Sequence, residues 1–145
     1  MIVREMRITD RPQWNELWAG YLAFYEATLA PEVTETTFQR LLDPSQPMFA
    51  LVAEDDTGAP IGFAHCVLHR GTWAIGDFCY LEDLFVAPQA RGLGAGRALI
   101  EAVYARADAL GCARVYWLTH ESNTQARALY DRVASHRGFI QYRRA

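Results

Sequence analysis

The chain has 145 residues, 51% hydrophobic and 21% charged, the proportions of one ordinary globular domain with a core of its own. Its 14 basic and 17 acidic residues leave a formal charge of −3 with no basic block, which argues against nucleic acid and tolerates a cationic partner. No apolar run reaches membrane-span length, Met1–Glu5 lacks a secretory pattern, and three cysteines without Cys-x-x-Cys spacing suit reduced thiols, so a single cytoplasmic domain over residues 1–145 is expected.

In chain order, Ile2 to Ile8 alternates loosely and reads as a first strand. Asp10 is placed to cap a helix, with Pro12 inside its first turn. Helical spacing then runs from Gln13 to Leu29, with Gly20 a candidate break. Trp14, Trp18, Tyr21 and Tyr25 recur on one face of it. That stripe reads either as core or, at its distal end with Glu26, as an aromatic and acidic overhang for a substrate amine. A short helix begins at Thr34 or Glu35 and ends before Pro44. Met48 to Glu54 and Ile61 to Leu68 read as paired strands around the turn Asp55-Asp56-Thr57-Gly58. His65 and His69 share a face but stand about 13 Å apart at strand rise, too far to hold one metal, and no metal site is expected.

After a turn at Arg70-Gly71, a central strand covers Asp77 to Val86 and stops at Pro88. Gly92, Gly94 and Gly96 open a turn before a helix whose apolar face carries Leu99, Ile100, Val103, Ala107 and Leu110 and which Gly111 ends. Val115 to Leu118 reads as a buried strand. Ser122-Asn123-Thr124-Gln125 fits a capping box for a helix turning Ala126, Leu129, Tyr130 and Val133 inward, and Phe139 to Tyr142 reads as a terminal strand. A strand meander followed by strand–helix units predicts an α/β or α+β fold on one mixed sheet.

The chemistry concentrates at the glycine turn. Bare backbone there can approach phosphate oxygens, and the following helix presents unpaired N–H groups and its positive end. The spacing excludes a P-loop and a dinucleotide Gly-x-Gly-x-x-Gly. What stands is Gln89-Ala90-Arg91-Gly92-Leu93-Gly94 directly after a strand, and, downstream, Asn123-Thr124-Gln125-Ala126-Arg127-Ala128-Leu129-Tyr130. In these two ordered patterns the chain resembles the GCN5-related N-acetyltransferase (GNAT) superfamily over nearly its whole length. Tyr80 to Val86 is similar to diamine acetyltransferases. Val115 to Asn123 is similar to a fungal branch acetylating histones, polyamines or D-amino acids. One departure stands out: Ala134-Ser135 occupies the place of the family's Gly-Phe, and Gly138-Phe139 comes later.

The resemblance implies a mostly antiparallel sheet flanked by helices, whose splayed central strands hold acetyl-CoA. The cofactor would lie along the backbone of Leu84, Phe85 and Val86, on Gln89, Arg91, Gly92, Leu93, Gly94, Ala95, Gly96 and Arg97, and against Asn123, Ala126 and Tyr130. It implies Glu82 as a base through water and Tyr130 as the acid that protonates the leaving thiolate. Asp83, Tyr21, Tyr25, Glu26, His120 and Glu121 are candidates for the substrate side. Strand alternation puts Asp83 on the face opposite Glu82. The expected activity is acetyl transfer to a small primary amine in a protein that is also expected to dimerise. A coenzyme-binding sensor without efficient acceptor, and a protein lysine or N-terminal acetyltransferase, are the alternatives. Tyr130 as a core aromatic, and Glu82 with Asp83 as a solvated pair, stay open beside these roles.

Overall fold

The computed structural model describes residues 1–145. Five strands form one sheet, in the spatial order β1 (Ile2–Glu5), β2 (Met48–Glu54), β3 (Pro60–His69), β4 (Phe78–Val86) and β5 (Arg114–Tyr116). The first four run antiparallel to their neighbours, and β5 runs parallel to β4. Helices α1 (Arg11–Phe24) and α2 (Pro31–Leu42) cover one face, and α3 (Ala95–Ala109) and α4 (Thr124–Val133) the other. The mixed, mostly antiparallel sheet flanked by helices is the architecture expected.

Each face has its own core. On the α1 side, Trp14, Phe38, Phe63 and Phe85 close over the sheet. On the α3 side, Leu81, Leu99, Ile100 and Val103 do so, with Leu129, Tyr130 and Val133 of α4 packed against them. The helical spacing thus predicts the buried face of α3, except that Leu110 lies beyond the helix end and is exposed. The aromatic stripe of α1 is a continuous column: Trp14–Trp18 and Trp18–Tyr21 stack with centroids 5.6 and 5.4 Å apart, and Tyr25 tilts against Tyr21 at 5.0 Å. Cys66, Cys79 and Cys112 are free thiols. No helix is long and apolar enough to cross a membrane.

Several boundaries differ from expectation for identifiable reasons. β1 ends at Glu5, because the chain tightens into a 3-10 turn at Ile8–Asp10. The Asp10 carboxylate does not cap α1. It accepts both Arg4 Nη1 and Nη2 at 2.9 Å and the Arg7 N–H at 2.7 Å. Gly20 does not break α1; a Cβ there would stand 3.1 Å from the Phe85 ring, so the missing side chain admits close packing. α1 stops at Phe24, where the Ala27 N–H reaches Leu22 O and Glu26 N–H reaches Ala23 O, with Glu26 at φ 52°. This closing turn is one that glycine usually provides, so the sequence carries no sign of it. α2 starts at Pro31, whose ring suits a first helical position, rather than at Thr34 or Glu35.

The C-terminal third departs most. β5 is three residues long and pairs with β4 from Phe78 to Tyr80, beyond which β4 has no strand on that side. The capping box does not form: the Asn123 amide donates to Thr119 Oγ1 at 3.2 Å, and α4 has no side-chain cap. Phe139 to Tyr142 joins no strand, and Phe139, Ile140 and Tyr142 are exposed.

Candidate active site

β4 leads into the glycine turn through Pro88–Ala90. Gly92 and Gly94 take φ of 85° and 83°, a left-handed backbone that costs other residues about 1–2 kcal/mol. A Cβ at either position would meet nothing within 4 Å, so both face open space. The N–H groups of Ala95, Gly96 and Arg97 precede the first intrahelical bond, from Ala98 N–H to Gly94 O at 3.0 Å. Open space, bare backbone and free donors at a helix start fit the diphosphate of a coenzyme A. Leu93 and Gln89 stand exposed at the rim, while Ala95 turns into the core. Arg91 Nε donates to Val86 O at 3.2 Å on the edge of β4 that β5 does not reach, and its guanidinium lies over the Phe85 ring. Arg97 instead pairs with Glu101 one turn along α3.

The central feature lies upstream on β4. Residues Cys66, Val67 and Leu68 pair with Leu81, Tyr80 and Cys79, whereas His65, Ala64 and Phe63 pair with Asp83, Leu84 and Phe85. Glu82 has no partner and is the extra residue of a β-bulge. Before it, Cys79 and Leu81 face α3; after it, Leu84 takes that side, and Asp83 and Phe85 face α1. The bulge therefore overturns the expected opposition of Glu82 and Asp83. Both line one cavity of about 220 Å³, walled by Trp18, Met48 and Val67 among others. Although Glu82 reaches the surface, burial raises its carboxyl above the ordinary glutamate range, and the neighbouring Asp83 charge adds to the rise.

Asp83 is held at both oxygens. Tyr21 donates its hydroxyl to Oδ1 at 2.7 Å, and His65 Nδ1 lies 2.9 Å from Oδ2. Behind this pair, Trp14 donates its indole N–H to His65 Nε2 at 3.0 Å. An indole nitrogen only donates, so Nε2 accepts and Nδ1 carries the proton given to Asp83. His65 is 2% exposed and Trp14 fully buried. Burial, and then Asp83, push the Tyr21 phenol well above its usual range.

Between the end of α1 and the start of α4, a second cavity of about 350 Å³ is lined by Tyr25, Glu26, His120 and Asn123 among others. The Tyr25 and His120 rings lie 6.2 Å apart. Tyr130 on α4 stands edge-on to Trp117 with centroids 5.4 Å apart. Burial raises its phenol, and the nearby Tyr25 adds to this, so it stays protonated at neutral pH. Ala126 is half-buried on the same helix. Glu121 is exposed, with its carbonyl accepting Arg127 Nη1 at 2.8 Å.

The structure thus brings Glu82, Asp83, Tyr21 and Tyr25 together along one path, with Tyr130, His120 and Asn123 at its far side. Sequence reasoning missed His65 and Trp14 as partners of Asp83. Pairing the two predicted strands of the β3–β4 hairpin would have set His65 opposite the acidic pair, but only the bulge fixes which carboxylate it meets. All 14 basic residues are arginines, and no arginine lines either cavity.

Residues 12–134 match the acetyltransferase (GNAT) family. The D-amino-acid N-acetyltransferase HPA3 of Saccharomyces cerevisiae is 41% identical over 145 residues, covering 99% of this chain and 90% of that protein. The uncharacterized N-acetyltransferase YhfO of Bacillus subtilis is 28% identical over 144 residues, covering 98% and 95%. Among solved structures, AAC(6')-Iy in complex with the bisubstrate analogue CoA-S-monomethyl-acetylneamine superposes with a TM-score of 0.83 at 21% identity, covering 99% of this chain and 97% of the other. A probable acetyltransferase gives a TM-score of 0.86 at 18% identity, covering 100% and 97%. At these identities the two structures show a shared fold.

Proposed function

The chain belongs to the GNAT family of acetyl-CoA-dependent N-acetyltransferases, and on that premise we propose that it acetylates a small primary amine by direct attack, with Glu82 as base and Tyr130 as acid. The observation that carries this reading is the bulge at Glu82, which sets a carboxyl of raised pKa beside Asp83 on the wall of a cavity. The yeast relative, named for acetylating D-amino acids, supports an amine acceptor.

An alkylammonium with a pKa near ~10.4 cannot attack until it loses a proton. Glu82 takes that proton through one water, and its raised pKa makes it a stronger base than an ordinary glutamate. Asp83 holds the ammonium beforehand. When bound, acetyl-CoA supplies the acyl carbon and a thiol leaving group. The glycine turn and the first N–H groups of α3 would hold its diphosphate, and the strand-free edge of β4 its pantetheine arm. As the N–C bond forms and the C–S bond breaks, Tyr130 would give its phenolic proton to the departing sulfur and regain one from the second proton that the acylated nitrogen sheds. Thiol release measured against a panel of polyamines, L- and D-amino acids, aminoglycosides and a histone-tail peptide tests this reading; silence with every amine while acetyl-CoA still binds would overturn it.

Two expected results belong to this reading. Glu82→Gln lowers kcat/KM by about 10²-fold, the usual scale of general base catalysis. In the wild type the acidic limb of the pH–rate profile lies above the ordinary glutamate range, because the base works only when ionised; in the variant this limb is gone. Burial favours the neutral carboxyl, so its contribution to stability is present at low pH and is lost as pH rises through the raised folded pKa. Glutamine stays neutral throughout, and Glu82→Gln therefore melts higher than the wild type at neutral pH. A variant that keeps the limb would mean that another group is the base. The second result concerns Gly94→Ala. Strain of about 1–2 kcal/mol at this left-handed residue distorts the turn, so KM for acetyl-CoA rises about tenfold. The KM for the amine stays near the wild-type value in the same steady-state assay.

A further inference from the structure

Trp14 and His65, the buried pair behind Asp83, have no part in the chemistry described so far. Asp83 is a carboxylate whose partners, Tyr21 and the neutral imidazole of His65, donate hydrogen bonds without supplying a positive charge. With no arginine on the cavity wall, its charge has no fixed counter-ion there. Its direction is nonetheless set from deep in the core. Neutral imidazole in water prefers its proton on Nε2, but Trp14 occupies that nitrogen with a donor and forces the proton to Nδ1, where it meets Asp83. The Phe63 ring stacks on the buried His65 with centroids 4.2 Å apart.

We propose that His65, fixed in its Nδ1–H form by Trp14, is a positioning residue for the acceptor: it aims the Asp83 carboxylate at the substrate ammonium, and so governs amine affinity through that carboxylate. This rests on the amine-acetyltransferase reading above and deepens it. The device predicts an asymmetry between two conservative variants. Asparagine places an amide N–H close to the position of Nδ1 and keeps the donor to Asp83 while losing the acceptor for Trp14. Glutamine reaches the position of Nε2, keeping an acceptor for Trp14 while losing the donor to Asp83.

The test uses 1,4-diaminobutane and D-methionine as acceptors and takes whichever the wild type acetylates faster. His65→Gln is expected to raise KM for that amine about tenfold, the scale of one lost hydrogen bond to a charged group. His65→Asn is expected to stay within about twofold of the wild type, since the donor to Asp83 survives. KM for acetyl-CoA is expected to be unchanged in both. A role limited to packing would shift both variants alike, or shift their stability and neither KM, and either pattern overturns the proposal. Nitrogen-15 NMR of the imidazole gives a readout free of activity: the Nδ1–H tautomer is expected, and an Nε2–H tautomer would overturn it. Absence of turnover with both amines and with the wider panel, with acetyl-CoA bound, would instead sink the acetyltransferase reading on which the proposal stands.

Discussion

Tyr130→Phe is expected to reduce kcat by about 10²–10³-fold while leaving acetyl-CoA affinity within about twofold, because the ring remains and only the proton donor is removed. The ring's edge-on contact with Trp117 and its place against the α3-side core need no hydroxyl, so the variant should fold normally. The leaving thiolate then has to find its proton in solvent. With a thiol pKa near ~8.5, it departs unassisted as the anion at any pH and is protonated only afterwards. The deficit should therefore persist with rising pH for as long as the wild-type phenol, raised by burial, stays protonated. Thiol-release kinetics together with calorimetry on the coenzyme decide the matter. A collapse of coenzyme binding with kcat little changed would make Tyr130 a structural residue.

The largest effect on stability is expected from Trp14→Ala. The indole is fully buried, stacks on Trp18, tilts against Phe38 at 4.9 Å and donates to His65. Truncation of a buried aromatic costs about 3–5 kcal/mol from lost contacts and the cavity left behind. Small domains hold only about 5–15 kcal/mol in all, so the variant should sit near its unfolding threshold. Trp14→Phe keeps most of the volume and removes the donor, and should cost only about 1–3 kcal/mol, the scale of one unsatisfied buried partner. Urea unfolding of both variants measures the difference. Equal losses would show that the aromatic volume retained in Trp14→Phe adds nothing beyond the lost hydrogen bond to His65.

Much of this arrangement could be read in the sequence, because it depends on local spacing. The aromatic face of α1 follows from the positions of Trp14, Trp18, Tyr21 and Tyr25. The span of β2 follows from its apolar run, and the turn before α3 from Gly92 and Gly94. What could not be read depends on pairing or on the absence of a punctuating residue. Nothing at Glu26 announces a left-handed helix end, since glycine usually marks one. Ser122 to Gln125 has the composition of a capping box, yet Asn123 bonds Thr119 instead. The facing of Glu82 and Asp83 was misread for a sharper reason. Alternation counts residues along one strand, and a bulge is defined only by the strand opposite it.

That bulge also bears on how the sheet finds its register. Without it, two pairings of β3 with β4 compete, one residue apart. One satisfies Phe78 to Leu81 and buries Cys79 and Leu81 under α3. The other satisfies Asp83 to Val86 and buries Phe85 under α1. Either regular pairing would turn half of the strand's apolar residues to the wrong side. Only the ladder that skips Glu82 lets a single strand complete both cores. The residue proposed to take the substrate's proton is thus also the one whose exclusion from the ladder resolves a folding ambiguity. Adding or deleting one residue near it would disturb the hairpin far more than changing its side chain.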